Sequence, residues 1–200
     1  FRILSKESHW IMAKRFADQG YLVFNISYRL APKDPFPAGL EDVCAAWLWV
    51  VKNAARFGGD PSRIVVAGES AGANLVSSLV LATCYARTEP SARGVFQAGV
   101  VPVAAVPYCG IFQVSDITRF RRRRKDLPVW LIDRLVEVSA AYLGAEDVEP
   151  GAHPLADPLL VYEGASPPDR PLPPFFMSVG TRDPILDDTR RMQQALEARG

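Results

Sequence analysis

Five consecutive residues, Gly68-Glu69-Ser70-Ala71-Gly72, fit the pattern G-x-S-x-G, which places a nucleophilic serine at a sharp turn between a strand and a helix. Such a turn requires a strained backbone at the serine. It also requires small residues two positions before and after it, and Gly68 and Gly72 meet that condition. Ser70 is therefore a candidate nucleophile. The backbone N–H of Ala71, at the start of the expected helix, is a candidate donor to an oxyanion.

The same five residues allow a simpler interpretation, in which Ser70 only caps the following helix. A phosphate-binding loop is excluded, because no Gly-Lys-Ser or Gly-Lys-Thr follows and no G-x-G-x-x-G is present. Glu69 lies next to the candidate nucleophile, and we assign it no chemical step.

The composition is that of one folded domain, with 200 residues, 48% of them hydrophobic and 22% charged. A net charge of +1 gives no general attraction to nucleic acid or acidic membranes. No signal peptide or membrane span is visible. The three cysteines, Cys44, Cys84 and Cys109, are widely spaced among apolar residues, which predicts reduced thiols and a cytoplasmic location. The two histidines, His9 and His153, have no cysteine pair nearby, so we expect no metal site.

Strand-like and helix-like patterns alternate along most of the chain. Short apolar and β-branched runs predict strands, and apolar residues at helical spacing predict helices. The predicted strands are 21–28, 64–68, 100–108 and 174–180, and the predicted helices are 8–20, 40–59, 71–87 and 189–200. This alternation predicts an α/β fold with a mostly parallel sheet flanked by helices.

The alternation stops near residue 112, where a basic cluster at 119–125 precedes a helical segment at 127–144. An insertion of this length is too long for a plain loop, so we expect a helical cap. The predicted organisation is a core at 1–111, a cap insertion with its return segment at 112–171, and a second part of the core at 172–200.

Four segments in this order resemble the hormone-sensitive-lipase-like esterases of the α/β-hydrolase fold: YRLAPKDPFPAGLED at 28–42, FGGDPSRIVVAGESAGANL at 57–75, HPLADPLL at 153–160 and LPPFFMSVGTRDPILDD at 172–188. The resemblance covers nearly the whole chain. It implies hydrolysis of carboxylic esters with short to medium acyl chains, through an acyl-enzyme intermediate and without a cofactor. The expected partner is a small-molecule ester.

The resemblance also assigns roles to single residues. Ser70 matches the nucleophile, Ala71 the oxyanion donor, and Asp183 the acid that orients the base histidine. An ordinary Asp-Pro turn is the alternative for Asp183, and Asp116, which follows the predicted strand 100–108, is a second candidate acid.

The family order is serine, aspartate and then histidine, and no histidine follows Asp183. His153 precedes the acid and is best interpreted as a surface or packing residue, while His9 could face the pocket although a structural role is favoured. The resemblance therefore places the base beyond residue 200 and the glycine stretch of the oxyanion hole before Phe1. On this interpretation the sequence is a fragment truncated at both ends, weakly active or inactive alone. In the family, the strand that leads into this glycine stretch lies in the sheet between the predicted strands 21–28 and 64–68. Without it, the facing backbone groups of these two strands would have no partner.

Other functions remain open at this point. Plant gibberellin receptors resemble this family and keep the serine while losing the histidine, so a non-catalytic receptor for a small molecule is one alternative. An amidase or peptidase of the same fold is another. The basic cluster at 119–125 could bind nucleic acid. A solvated face of the cap is favoured, because the rest of the chain is charge-balanced, so we expect no nucleic-acid partner. A homodimer stays open.

Overall fold

The computed structural model describes residues 1–3, 5–145 and 148–199. Its sheet is built from two parallel strands, β1 (Val65–Glu69) and β2 (Ala104–Tyr108), with Val65 opposite Ala104 and Glu69 opposite Tyr108. Residues 175–178 lie along the other edge of β2 in the same direction. The predicted parallel arrangement is confirmed.

The segment at 175–178 touches β2 only at two isolated bridges, Ala105 with Phe175 and Tyr108 with Ser178. Between these bridges β2 carries Pro107, which has no N–H to donate to a neighbouring strand. The run predicted as a strand at 174–180 therefore pairs at its two ends without forming a continuous ladder.

The longer helices agree with the predicted helical segments. They are α1 (Trp10–Asp18), α2 (Ala38–Asn53), α3 (Ala71–Cys84), α4 (Pro90–Gln97), α5 (Arg119–Arg123), α6 (Val129–Leu143), α7 (Pro158–Glu163) and α8 (Leu186–Glu197), with short 3-10 segments at Lys6–His9 and Ala54–Phe57. The sequence did not predict α4, α5 or α7. Gly200, the last residue of the helix predicted at 189–200, lies outside the described residues.

Helix α3 runs through the core, and nearly all of its residues are buried. It packs against both strands and against α2, α4 and α7. Its small side chains allow this close approach, and its buried hydroxyls are satisfied locally. Ser77 donates to the carbonyl of Ala73 at 2.9 Å, and Ser78 donates to the carbonyls of Asn74 at 3.0 Å and Leu155 at 2.7 Å. The rigid helix thereby fixes the position of the turn that precedes it.

The predicted strand at 21–28 is wrong. No strand forms there, and Tyr21 and Leu22 keep 55% and 44% of their surface exposed. Strand formation needs a partner for the backbone, and the described residues place none beside this segment. Aromatic contacts hold it instead, since the ring of Phe24 lies 5.8 Å from those of Trp49 and Phe57.

The residues between 112 and 171 belong partly to the core. Phe112, Val114, Leu159 and Tyr162 are buried in the same apolar cluster as α3. Helix α6, in contrast, exposes 69% of Trp130. The boundaries at 111 and 171 stay predictions.

Over the described residues, no helix combines the length and the apolar character needed to cross a membrane.

Candidate functional site

Ser70 occupies a strained turn between β1 and α3. Its φ of 54° and ψ of −111° lie in a region that side-chain-bearing residues rarely adopt. Its N–H donates to the carbonyl of Tyr108 at 2.9 Å, and its carbonyl accepts from the N–H groups of Ala73 at 3.1 Å and Asn74 at 3.2 Å. These three backbone bonds hold the strained conformation, and the side chain is left exposed at the carboxyl end of β1.

The capping interpretation of Ser70 is wrong. Its side chain makes no capping hydrogen bond to the first turn of α3. The hydroxyl is therefore not committed to the helix that follows it. This geometry has the form of a nucleophile elbow, in which a sharp turn presents the serine oxygen to a ligand.

The two glycines of the motif serve different purposes. A Cβ on Gly68 would lie 2.3 Å from the carbonyl oxygen of Gly72 and 2.4 Å from its carbonyl carbon, so any side chain there would displace the backbone. A Cβ on Gly72 would meet nothing within 4 Å. The predicted close approach is therefore between the Cα of Gly68, where no side chain fits, and the backbone carbonyl of Gly72, whose own side-chain position is open.

Ala71 is the first residue of α3 and is buried. The first N–H groups of a helix have no acceptor within the helix, and the helix dipole favours negative charge near them. The N–H of Ala71 can therefore donate to an oxyanion that develops beside Ser70.

Asp183 lies in the turn that follows the 175–178 segment. Its carboxylate accepts a hydrogen bond from the N–H of Ile185 at 3.0 Å. Cys109 lies one residue after β2, and its thiol is close enough to feel the charge of this carboxylate. Burial raises the pKa of Cys109, and the negative charges of Asp183 and Glu69 raise it further. Asp183 and Glu69 therefore both lie near Cys109 at the carboxyl ends of the parallel segments.

The second candidate acid, Asp116, is bound elsewhere. Its carboxylate pairs with Arg122 and accepts from the hydroxyl of Thr118 at 2.9 Å. Burial would raise the pKa of Asp116, but these hydrogen bonds outweigh it and lower that pKa below its usual value. The Asp116 side chain therefore binds residues at the start of the cap segment. Because its carboxylate already has these partners, Asp183 is the favoured candidate for the acid.

In the part of the chain that the structure describes, neither histidine forms a hydrogen bond with Ser70. Nε2 of His9 lies 3.1 Å from Oε2 of Glu69, and its Nδ1 lies 2.9 Å from Oγ of Ser8. The exposed His153 packs its ring 5.3 Å from that of Phe36. His9 thus reaches the residue next to the candidate nucleophile, and His153 has a packing contact.

Asn74 is a site residue that the sequence interpretation missed. It is fully buried, and its Nδ2 donates to the carbonyls of Ile111 at 2.8 Å and Ala156 at 3.0 Å. Its own N–H donates to Ser70, as described above. Asn74 therefore joins the elbow to the two segments that flank the cap. The available signal was an amide side chain in a helix whose other polar residues carry only hydroxyls.

The basic cluster at 119–125 is largely paired with carboxylates. Arg122 pairs with Asp116, Arg123 with Asp187, Arg124 with Asp126, and the buried Arg119 with Asp188. Arg119 is buried with its partner, while Arg122 and Arg123 stay exposed on the surface although their charges are paired. Among the described residues, no group of three or more histidine, cysteine, aspartate or glutamate side chains is arranged to hold a metal ion.

Comparisons with known proteins identify the family and the fold. The family described as the alpha/beta hydrolase fold matches residues 1–200. The carboxylesterase NlhH of Mycobacterium tuberculosis is 35% identical over 179 residues, which are 90% of this chain and 51% of that protein. The chain therefore spans about half the length of this curated relative.

Solved structures show the same relationship. The structure of an esterase from the bacterial hormone-sensitive lipase family superimposes with a TM-score of 0.73 at 30% identity, covering 99% of this chain and 59% of the other. A bacterial heroin esterase superimposes with a TM-score of 0.76 at 28% identity, covering 98% and 59%.

Proposed function

Because the chain belongs to the α/β-hydrolase fold family, we propose that it carries the nucleophile of a carboxylic ester hydrolase, with Ser70 as that nucleophile. The observation that carries the proposal is the backbone of Ser70, held at a φ of 54° with its side chain uncommitted. A strained backbone persists only where the surroundings enforce it, and such positions cluster at active sites. The esterase names of the similar proteins support the choice of ester substrates.

The proposed reaction proceeds through an acyl-enzyme. Oγ of Ser70 attacks the ester carbonyl carbon and passes its proton to a general base. The N–H of Ala71 stabilises the oxyanion of the tetrahedral intermediate. Collapse of that intermediate breaks the bond to the leaving oxygen, which takes the proton from the base and departs as the alcohol. Water then gives a proton to the base, attacks the acyl carbon on Ser70 and releases the acid as Oγ regains its proton. Asp183 would orient the base and stabilise its protonated form. No step requires a metal or a cofactor.

The general base is not assigned to His9 or His153, because their contacts lie with Glu69 and Phe36. The proposal assigns the base to a histidine outside the 200 residues.

Short to medium acyl esters are the proposed substrates. The pairing of the cluster at 119–125 supports a structural role for it rather than a nucleic-acid site. The free thiols Cys44, Cys84 and Cys109 support the proposal of a cytoplasmic location.

Hydrolysis of p-nitrophenyl butyrate tests the proposal directly. In the whole protein, Ser70→Ala should abolish turnover and acylation of the protein as seen by mass spectrometry. Ser166→Ala, at an exposed serine whose side chain has no recorded hydrogen bond, is the matched control and should behave as wild type. Unchanged turnover in Ser70→Ala would refute the assignment. Binding of the ester without acylation would instead favour a receptor.

The 200-residue chain alone gives a second test. We expect turnover lower by orders of magnitude than that of a complete relative, because loss of a triad member has that effect. Turnover at the level of the complete relative, still dependent on Ser70, would show that His9 or His153 serves as the base.

A further inference from the structure

His9 is linked by hydrogen bonds both to its own segment and to the residue before the nucleophile. Oγ of Ser8 donates to the carbonyl of Ser5 at 2.6 Å and also lies 2.9 Å from Nδ1 of His9. Nε2 of His9 lies 3.1 Å from Oε2 of Glu69. The contacts form one chain from Ser5 through Ser8 and His9 to Glu69.

The number of protons in this chain determines the charge of His9. A serine hydroxyl has one hydrogen, and that of Ser8 is given to the carbonyl of Ser5, which can only accept. The contact between Ser8 and His9 therefore needs a proton on Nδ1. The ionised carboxylate of Glu69 also only accepts, so its contact needs a proton on Nε2. All three hydrogen bonds form without a shared hydrogen when His9 is the doubly protonated imidazolium, whereas a neutral ring with its proton on Nε2 shares the hydroxyl hydrogen of Ser8 between Ser5 and Nδ1.

Glu69 is placed where its charge matters. It is the last residue of β1, directly before Ser70, and its backbone pairs with Tyr108, whose carbonyl accepts from Ser70. Its carboxylate raises the pKa of Cys109, the next residue after Tyr108, so its field extends to the groups around the nucleophile. A negative charge this close opposes the development of an oxyanion on a substrate bound to Ser70.

We propose that His9 is a positioning residue of the elbow, whose imidazolium binds Glu69 and offsets its negative charge beside the oxyanion site. This inference rests on the proposed function of Ser70. Helix α1 buries no residue, so the bond between His9 and Glu69 also holds the start of that helix near the end of β1.

The other charges around His9 do not replace this pairing. On its own segment, Glu7 accepts from Ser5, and the backbone of Lys6 bonds to Ser27 and Asn25. On the strand side, the carboxylate of Asp183 acts on Cys109 with the same sign as that of Glu69. Without the charge of His9, the carboxylate of Glu69 would lose the partner that it has at 3.1 Å.

A double-mutant cycle on ester hydrolysis tests the proposal, with kcat and KM measured for His9→Gln, Glu69→Gln and the double variant of the whole protein. Glutamine at position 9 keeps an N–H donor and removes the charge. We expect His9→Gln to lower kcat about two- to fivefold with KM unchanged, the range of an exposed ion pair. In the Glu69→Gln background the same change should have no effect. His153→Gln, at the other histidine, is the matched control and should leave both constants unchanged.

An equal loss of kcat from His9→Gln in both backgrounds, or no loss in either, would overturn the proposal.

A second measurement is independent of activity. Imidazole ¹⁵N spectra can distinguish His9 from His153, and Glu69→Gln should shift the Nε2 resonance of His9 while leaving the resonances of His153 unchanged. An unshifted Nε2 resonance would also overturn it. If the wild-type protein showed no hydrolysis that depends on Ser70, the proposed function would be refuted instead. The spectra would still report the contact between His9 and Glu69.

Discussion

Arg119 and Asp188 form a buried ion pair that joins the cap segment to helix α8. Nη2 of Arg119 lies 2.6 Å from each oxygen of the Asp188 carboxylate, and Nε lies 3.1 Å from Oδ1. The N–H groups of Phe112 and Gln113 donate to the same carboxylate at 2.9 and 3.2 Å. Burial raises the pKa of Asp188, although Arg119 and both N–H groups act against the rise. One carboxylate thus fixes the chain after β2 and the helix that follows Asp183.

Removing only the carboxylate should destabilise the protein strongly. Asp188→Asn leaves the Arg119 charge buried without its partner, which costs about 3–5 kcal/mol in comparable cases. Urea unfolding followed by far-UV circular dichroism measures this free energy. The double variant Arg119→Met/Asp188→Asn removes both charges, keeps an oxygen acceptor for the N–H groups of Phe112 and Gln113, and should lie closer to wild type than Asp188→Asn. If the double variant were the less stable of the two, the ion pair would contribute net stability in its own right.

The glycines of the elbow give a matched pair of substitutions. Gly68→Ala should abolish turnover or folding, because its Cβ would lie 2.3 Å from the backbone of Gly72. Gly72→Ala meets nothing within 4 Å and lies in the first turn of α3, so it should fold with stability equal to or about 0.5–1 kcal/mol above wild type. Thermal unfolding and p-nitrophenyl butyrate hydrolysis check both variants. Equal tolerance at the two positions would contradict the close approach at Gly68.

The strain at Ser70 should appear as a stability difference between two variants that both lack the hydroxyl. Ser70→Gly removes the steric cost of a φ of 54° and should raise the free energy of unfolding by about 1 kcal/mol. Ser70→Ala keeps a Cβ at the same φ and should leave stability close to wild type. Calorimetric melting of the two variants gives the comparison, and identical melting temperatures would show that the turn is not strained.

Much of this site could be predicted from the sequence because its determinants are local. The strained serine, the crowded Gly68 and the small residues of α3 all lie within one short segment, and each constraint acts on its neighbours in the chain. The predicted roles of Ala71 and Asp183 stay predictions, since their placement near the elbow allows those roles without testing them.

The rest depends on contacts between distant segments. The run at 21–28 has strand-forming residues, but a strand also needs a partner, and no local pattern contains that information. The buried polar groups were missed for the same reason. Asn74 and Asp157 read as ordinary polar residues, yet Asp157 accepts from the N–H groups of Val114 at 2.6 Å and Ser115 at 3.1 Å. The pairing of the arginines at 119–125 was not visible in the sequence, because two of their carboxylate partners, Asp187 and Asp188, lie more than 60 positions away.

Stability towards acid should depend in part on the pair formed by Arg29 and Asp42. The N–H of Arg29 donates to Asp42 at 2.7 Å and its Nε lies 3.0 Å from both carboxylate oxygens. Partial burial acts to raise the pKa of Asp42, but the bonds from Arg29 outweigh it and lower that pKa below its usual value. Because the folded state binds this proton less readily than the unfolded chain, the stabilisation is complete above the unfolded pKa of about 4. This stabilisation is lost as pH falls through the lower pKa that Asp42 has in the folded state.

Urea unfolding of the wild-type protein between neutral and strongly acid pH should therefore show a free energy of unfolding that declines below about pH 4. The decline should be shallower in Asp42→Asn. Parallel curves for the two proteins would show that this pair contributes nothing to the acid transition.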